Sequence, residues 1–190
     1  MMRPRQRPGV VLLSGLTLLA ATCISALPAD AKTRVLPGFR TAFGSSWPIE
    51  SKGEAGFSFE ALLRVGVVFG KKRRMKGFIV DPVLGYNYQH PGYKTHLFVL
   101  GTDLGYSFGP MLAIVAGARG VVGSTPEVFA GGLRSVLAAD VLFGILRAEA
   151  THQMLWQDGE MRQTVGFMVG FDVLRALGFF MMLSTLLKKK

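Results

Sequence analysis

The chain has 190 residues, of which 49% are hydrophobic and only 18% are charged, and its formal net charge is +10. Intrinsic disorder is excluded, because disordered chains are poor in apolar residues. An ordinary soluble domain is disfavoured, because about a quarter of its residues are usually charged. The net charge would suit a nucleic-acid binder only if the basic residues were gathered on one surface. The class of protein therefore depends on how apolar and basic residues are distributed along the chain.

Residues 1–31 have the pattern of a secretory signal peptide. A basic start with three arginines precedes an apolar core over residues 10–26, and Ala-Asp-Ala at residues 29–31 is a small-x-small cleavage site. The apolar core is interrupted by polar residues and is shorter than the roughly 20 residues of a membrane-spanning helix, so a cleaved leader is favoured over an uncleaved anchor. The single cysteine, Cys23, lies inside this leader. The rest of the chain therefore has no cysteine for a disulfide, a metal site or a nucleophile.

Seven segments after the leader alternate between apolar and polar residues. They run over residues 57–69, 78–88, 96–108, 111–122, 133–143, 146–155 and 161–173. Alternation with a period of two is typical of β-strands with one apolar face, and these segments are longer than the strands of about five or six residues that are common in soluble proteins. After the leader no uncharged apolar run reaches the length of a membrane-spanning helix.

The charged residues of these segments share the polar faces. Four segments carry two charges each, and in all four the two charges have the same parity. These pairs are Glu60 and Arg64, Arg134 and Asp140, Arg147 and Glu149, and Arg162 and Asp172. The Ala- and Leu-rich stretch 133–150 places its charges at no single helical face, so it is predicted as strand as well.

The composition of the polar faces indicates that they point inward. Their charged residues are arginines, aspartates and glutamates without lysine, in nearly balanced number. Arginine suits confined ion pairs, and an unpaired charge in an interior is costly. The predicted lumen ion-pair network comprises Glu60, Arg64, Asp81, Asp103, Arg119, Arg134, Asp140, Arg147, Glu149, Arg162 and Asp172.

Aromatic residues recur near the ends of the segments, as in the interfacial girdles of membrane β-barrels. They are Phe57, Phe69, Phe78, Tyr88, Phe108, Phe143 and Trp156. The sequence therefore predicts an all-β fold, a closed antiparallel up-and-down transmembrane β-barrel with its apolar faces toward lipid. In that arrangement Leu100→Arg costs about 2–4 kcal/mol at the lipid face, and Gly101→Ser is expected to be far milder.

Because such barrels usually have an even number of strands, an eighth strand is needed. Residues 39–47 are the better candidate and residues 177–187 the alternative. The first choice places the tight turns and both termini together at a periplasmic end.

Pro82 cannot donate to the strand ladder, so a bulge is expected there. The predicted organisation is a signal peptide (1–31), an N-terminal segment with the possible first strand (32–56), the barrel (57–174) and an apolar and basic tail (175–190).

With alternating strands, glycine-rich polar faces and aromatic ends, residues 39–173 resemble the small eight-stranded bacterial outer-membrane barrels of the OmpA/OmpX type, without a family-specific motif. The resemblance implies an outer-membrane location and contact with outer-membrane lipids, including lipopolysaccharide. It also implies assembly by the barrel assembly machinery and no cofactor or nucleic-acid partner. Interiors of eight-stranded barrels are just filled by side chains, so an occluded lumen with a structural or envelope role is expected rather than an open pore. The terminus departs from this group, whose members usually end on an aromatic residue, because this chain ends in three lysines.

The sequence leaves two alternative functions open. The three histidines, His90, His96 and His152, have outward parity near segment ends, where a histidine and a serine could perform acyl chemistry on lipid A. Ser135 is the only serine on a predicted outward face, and its strand is not expected to align with both His96 and His152, so interfacial anchoring is favoured over catalysis. The histidines also lack the spacing of a metal site. The other alternative is a soluble secreted barrel that binds an apolar ligand, and the basic run 71–76 is interpreted as a solvated turn.

Overall fold

The computed structural model describes residues 32–49, 55–71, 76–90, 94–124 and 128–187 of the chain. The predicted leader with Cys23, most of the basic run 71–76 and the final lysines lie outside these residues. The described chain contains eight strands followed by a helix. They are β1 (Lys32–Pro48), β2 (Gly56–Lys71), β3 (Lys76–His90), β4 (Thr95–Phe108), β5 (Leu112–Ser124), β6 (Phe129–Val141), β7 (Leu146–Gln157), β8 (Glu160–Asp172) and α1 (Val173–Leu187).

The strands form a closed barrel in chain order, and every neighbouring pair is antiparallel. The predicted closed up-and-down barrel of eight strands is confirmed. β1 closes the barrel against β8 in a register that runs from Arg40 opposite Asp172 to Pro48 opposite Thr164. Residues 177–187, the alternative closing strand, instead belong to α1. Their run of Leu, Met and Phe without β-branched alternation favours a helix.

β1 is longer than the predicted segment 39–47, because it begins at Lys32. Pro37 and Gly38 interrupt the alternation of apolar and polar residues, so the sequence pattern does not indicate that the strand begins before residue 39. Pro37 pairs with β2, but β8 pairs with β1 only from Arg40 onward. The first part of β1 therefore has a paired strand on one side only, and proline is tolerated in such an edge segment.

Pro82 does not produce the expected bulge. Arg64 lies opposite Val83 and Val67 lies opposite Val80, so the register of β2 and β3 is the same on both sides of the proline. The ladder omits the pairs between these two positions, and β3 remains fully paired with β4. The strand therefore tolerates the missing N–H by losing local pairing with β2, without an inserted residue.

The two ends of the barrel differ. The helix end holds the turns 109–111 and 142–145, the start of β1 and the start of α1; the far end holds the turn 158–159. The sequence predicts that the tight turns share one end with both termini, but the two-residue Asp-Gly turn 158–159 lies at the other end from the start of β1 and α1. Asp158 and Gly159 both have left-handed backbone, with φ of 51° and 83°, which suits the tight turn of a hairpin.

Side chains alternate between the lumen and the outside as predicted, and the lumen also contains two apolar clusters. The first is Leu62, Val83, Leu97, Val99, Val121 and Leu155. The second is Val68, Ile79, Ala113, Val115, Val136 and Ala138, with Leu36 packed against it. The second cluster lies toward the helix end of its strands, and most of the first lies toward the far end. The core of this fold is therefore the lumen itself.

Glycines on the lumen side allow strands to approach closely. A Cβ atom built on Gly101 would lie 2.5 Å from the Ala118 carbonyl oxygen and 2.6 Å from the Arg119 Cα, and one on Gly105 would lie 2.2 Å from the Ile114 carbonyl oxygen. No side chain fits at these distances without a shift of the backbone. The expectation that Gly101→Ser is mild is therefore wrong, because the serine Cβ would collide with the neighbouring strand.

Candidate functional site

A single network of ion pairs fills the middle of the lumen. It combines six arginines and six acidic residues contributed by all eight strands and by α1. Its members are Arg40, Glu60, Arg64, Asp81, Asp103, Arg119, Arg134, Asp140, Arg147, Glu149, Asp172 and Arg175. The formal charges of these twelve side chains cancel, as an interior shielded from water requires.

Two glutamates on nearly opposite strands form the centre of the network. Glu60 pairs with Arg40, with Arg119 at 3.2 Å and with Arg134 at 2.8 Å. Glu149 forms an ion pair with Arg40 at 2.9 Å and also lies 3.6 Å from both Arg119 and Arg134. Three guanidinium groups are therefore shared between two carboxylates, and β1, β2, β5, β6 and β7 are joined across the lumen.

Arg147 extends the network from this centre toward the helix end. Its guanidinium lies 3.1 Å from Glu149, 2.5 Å from Asp103 and 3.4 Å from Asp140. Arg64 then pairs with Asp140 at 3.1 Å and with Asp81. The network is therefore a continuous chain of charge-assisted contacts rather than a set of separate pairs.

Arg175 of α1 closes the network at the helix end. Its Nε lies 3.5 Å from the Asp172 carboxylate and its guanidinium lies 3.9 Å from Asp81. The Asp172 carboxylate also accepts the backbone N–H of Phe39 at 3.2 Å and that of Arg175 at 3.0 Å. Asp172 thus joins β1, β8 and α1 through one side chain.

The sequence placed ten of the network residues by parity, but it missed two. Arg40 lies on the same face of β1 as buried Ala42, so the parity of residues 39–47 is a signal that could have identified it. Arg175 follows the last strand and belongs to a helix, so alternation gave no signal for it. Arg162, which the sequence also predicted for the network, lies near the far end of β8 and is only partly buried.

The network is shielded from solvent. Arg40, Arg64, Arg119, Arg134 and Arg147 are each at most 2% exposed. The two apolar clusters of the lumen flank the charged groups along several strands. At the helix end a recess of about 60 Å³, lined in part by Arg34, Asp140 and Arg175, has room for a few water molecules. It is far smaller than the several hundred Å³ of an ordinary ligand site.

The outward faces carry apolar side chains, with aromatic residues near both ends. Phe69, Phe78 and Phe108 lie toward the helix end, and Phe57, Tyr88 and Trp156 lie toward the far end. Of the predicted interfacial aromatics, Phe143 has different surroundings. It lies in the turn 142–145 with a left-handed φ of 63° and packs against Phe179 of α1 at a ring-centroid distance of 5.3 Å.

The outward histidines make hydrogen bonds to groups other than serine. The Tyr86 hydroxyl lies 2.5 Å from Nδ1 of His96, and Nε2 of His152 lies 3.0 Å from the Gln163 side-chain oxygen. Exposed His90 ends β3.

Two serines nevertheless lie opposite these histidines. Ser135 is the cross-strand partner of His152, and Ser124 is that of His96. Ser124 is exposed on the outward face, so the expectation that Ser135 is the only outward serine is wrong. Within the described residues, neither histidine ring is hydrogen bonded to a serine, and the contact that would activate a serine nucleophile is therefore missing from this conformation.

The described parts of the chain also bear on metal binding and on membrane-spanning helices. No group of three or more His, Cys, Asp or Glu side chains that could hold a metal ion occurs there. None of the helices there is long and apolar enough to cross a membrane.

No protein-family model matches the chain, and no curated protein matches it. Among solved structures, a chain described as "De novo design of transmembrane beta-barrels" matches over 73% of this chain and 98% of its own length, with 12% sequence identity and a TM-score of 0.37. A likeness at this level carries no weight for function. The fold assignment rests on the strand register, and the function must be inferred from the residues themselves.

Proposed function

We propose that this protein is an integral outer-membrane β-barrel with an occluded, ion-paired lumen and a structural role in the envelope. The observation that carries the proposal is the difference in polarity between the two faces of the strands. Arginines and carboxylates are buried inside, while large apolar residues such as Leu63, Phe98 and Val169 are about half exposed on the outside. A water-soluble barrel would have the opposite polarity, because a large exposed apolar surface is unfavourable in water.

The side chains that fill the lumen favour an occluded barrel over an open channel. An open aqueous pore needs a continuous polar path, but the charged groups here are paired and fully buried, and apolar clusters flank them. Moving water or ions through would require several charge-assisted contacts to break together. The network therefore acts as a polar core that holds opposite strands together.

The proposed orientation rests on the start of β1 and on α1, which lie at the same end of the barrel. We place the helix end, with the start of β1 and with α1, in the periplasm, and the far end outside. The partners are outer-membrane lipids, with lipopolysaccharide at the far end, and the barrel assembly machinery during insertion. No cofactor and no nucleic acid take part in this function.

Membrane extraction tests the proposal directly. The protein should stay in the membrane fraction during a carbonate wash and migrate faster on a gel when it is not heated, because a closed barrel resists the detergent. In planar bilayers it should give no stable conductance at protein levels at which an open porin conducts. Release by carbonate without a mobility shift would exclude the membrane barrel, and steady conductance would exclude the occluded lumen.

A lipid-modifying enzyme is the second candidate, favoured by the cross-strand positions of Ser124 and His96 and of Ser135 and His152. His96→Ala and His152→Ala should leave the acyl chains of lipid A unchanged in mass spectrometry, as should expression of the parent protein. A change that appears with the parent and is lost in either variant would establish the enzyme. The third candidate, a soluble barrel for an apolar ligand, is opposed by a lumen that is filled with ion pairs rather than hollow.

A further inference from the structure

Helix α1 exposes apolar side chains on most of its surface. It has 15 residues, and Arg175 is the charged residue among them. The exposed fractions of Leu177, Phe180, Met181 and Leu187 lie between 53% and 66%. A helix that is apolar on all sides is normally buried in a protein or in a membrane, yet the described structure covers only one side of this helix.

The covered side of α1 is fixed to the barrel by three residues. Ala176 is buried, Arg175 reaches Asp172 and Asp81 inside the lumen, and Phe179 packs against Phe143 in the turn 142–145. These contacts hold the first turns of the helix at the helix end of the barrel. The exposed apolar residues lie on its remaining sides.

The exposed surface of α1 continues the outward apolar row of β8. The outward residues from Val165 to Phe171 are all exposed and apolar. The helix begins at Val173 directly after buried Asp172, without a connecting loop, and Leu174 is again exposed. One uninterrupted apolar surface therefore passes from the side of the barrel onto the helix.

The polar groups of α1 suit an apolar environment. The exposed hydroxyl groups of Ser184 and Thr185 both donate to the Met181 carbonyl oxygen, at 2.8 and 2.9 Å, so neither depends on water for a partner. At about 1.5 Å per residue the helix is roughly 22 Å long, which is shorter than the approximately 30 Å core of a bilayer. Three lysines follow it in the sequence at residues 188–190, and lysine suits the phosphates of lipid headgroups.

We propose that α1 is a membrane anchor that lies in the phospholipid leaflet next to the helix end of the barrel. Its exposed apolar residues contact acyl chains near the headgroups. This inference rests on the proposed membrane location of the barrel. Lipid is favoured over a second copy of the chain, because the exposed residues surround several sides of the helix and join a surface that already faces lipid.

Fluorescence quenching by brominated lipids tests the anchor. Trp47→Phe and Trp156→Phe remove the two tryptophans of the chain, and a single reporter is then added by Phe180→Trp on α1 or by Leu100→Trp on the barrel. The full protein, purified from membranes, is reconstituted in vesicles with and without brominated phosphatidylcholine. Heat-modifiable gel mobility shows that each variant has folded.

We expect both reporters to be quenched, to within about twofold of each other, because both contact acyl chains. Leu177→Lys and Met181→Lys are then added to each of the two reporter proteins. They should reduce the quenching of Trp at position 180 and leave the quenching of Trp at position 100 unchanged. Quenching on the barrel but not at position 180 would overturn the anchor and leave the membrane barrel standing. That result together with crosslinking between copies through α1 would assign the helix to a dimer contact instead. Absence of quenching at both positions would overturn the membrane barrel and the anchor together.

Discussion

Leu62 and Leu63 are neighbours in β2, but their surroundings are opposite. Leu62 is fully buried in the lumen, between strand positions that carry Glu60 and Arg64, while Leu63 is 55% exposed on the outside. The lumen face depends on specific partners, because each charge there needs its counter-charge and each apolar side chain fills a defined space. The outward face needs only apolar character. The two faces should therefore respond to different substitutions, which makes their comparison testable residue by residue.

The largest effect is expected from removal of a charge at the centre of the lumen. Glu60→Gln leaves Arg40, Arg119 and Arg134 with one carboxylate fewer, and breaking a buried ion pair on one side costs about 3–5 kcal/mol. The measurement is the free energy of unfolding in urea for the barrel in vesicles, followed by tryptophan fluorescence.

Exposed Glu160 at the start of β8 provides the matched control. Glu160→Gln should change the free energy of unfolding by less than about 0.5 kcal/mol. Because the loss at Glu60 comes from uncompensated charge, adding Arg134→Met to Glu60→Gln should restore part of the stability. Similar effects of the two glutamine substitutions, or no recovery in the double variant, would contradict the role of charge balance in the lumen.

The sequence predicted the barrel because its alternation has one period throughout, and ten of the twelve network residues followed from parity alone. It could not reach Arg175, since that contact depends on a helix folding back onto the helix end of the barrel. It also missed the apolar clusters of the lumen. Leu97 and Val99 have apolar neighbours on the other face, so alternation does not show which face of the strand points into the lumen at these positions. The close approach at Gly101 depends on the curvature of two adjacent strands, which no local pattern records.

A second comparison uses the two leucines themselves. Leu62→Ala should cost about 2–5 kcal/mol, because it removes packed atoms from the lumen and leaves a cavity. Leu63→Ala should cost about 1 kcal/mol or less, because it only exchanges one apolar group for a smaller one at the lipid surface. The same urea experiment measures both. Equal losses at the two positions would contradict the assignment of faces in β2.

The smallest of the three expected losses of stability is that of Leu100→Arg. This substitution tests whether the outward face contacts lipid or water. Leu100 is 49% exposed near the middle of β4, where an arginine at the bilayer midplane costs about 2–4 kcal/mol. Leu100→Met, the apolar control, should cost less than about 1 kcal/mol, because volume-conserving apolar exchanges are well tolerated. On a barrel in water, the arginine would be solvated and Leu100→Arg would be nearly neutral. A neutral result for protein reconstituted in vesicles would therefore contradict the lipid-facing assignment, even if the lumen variants behave as expected.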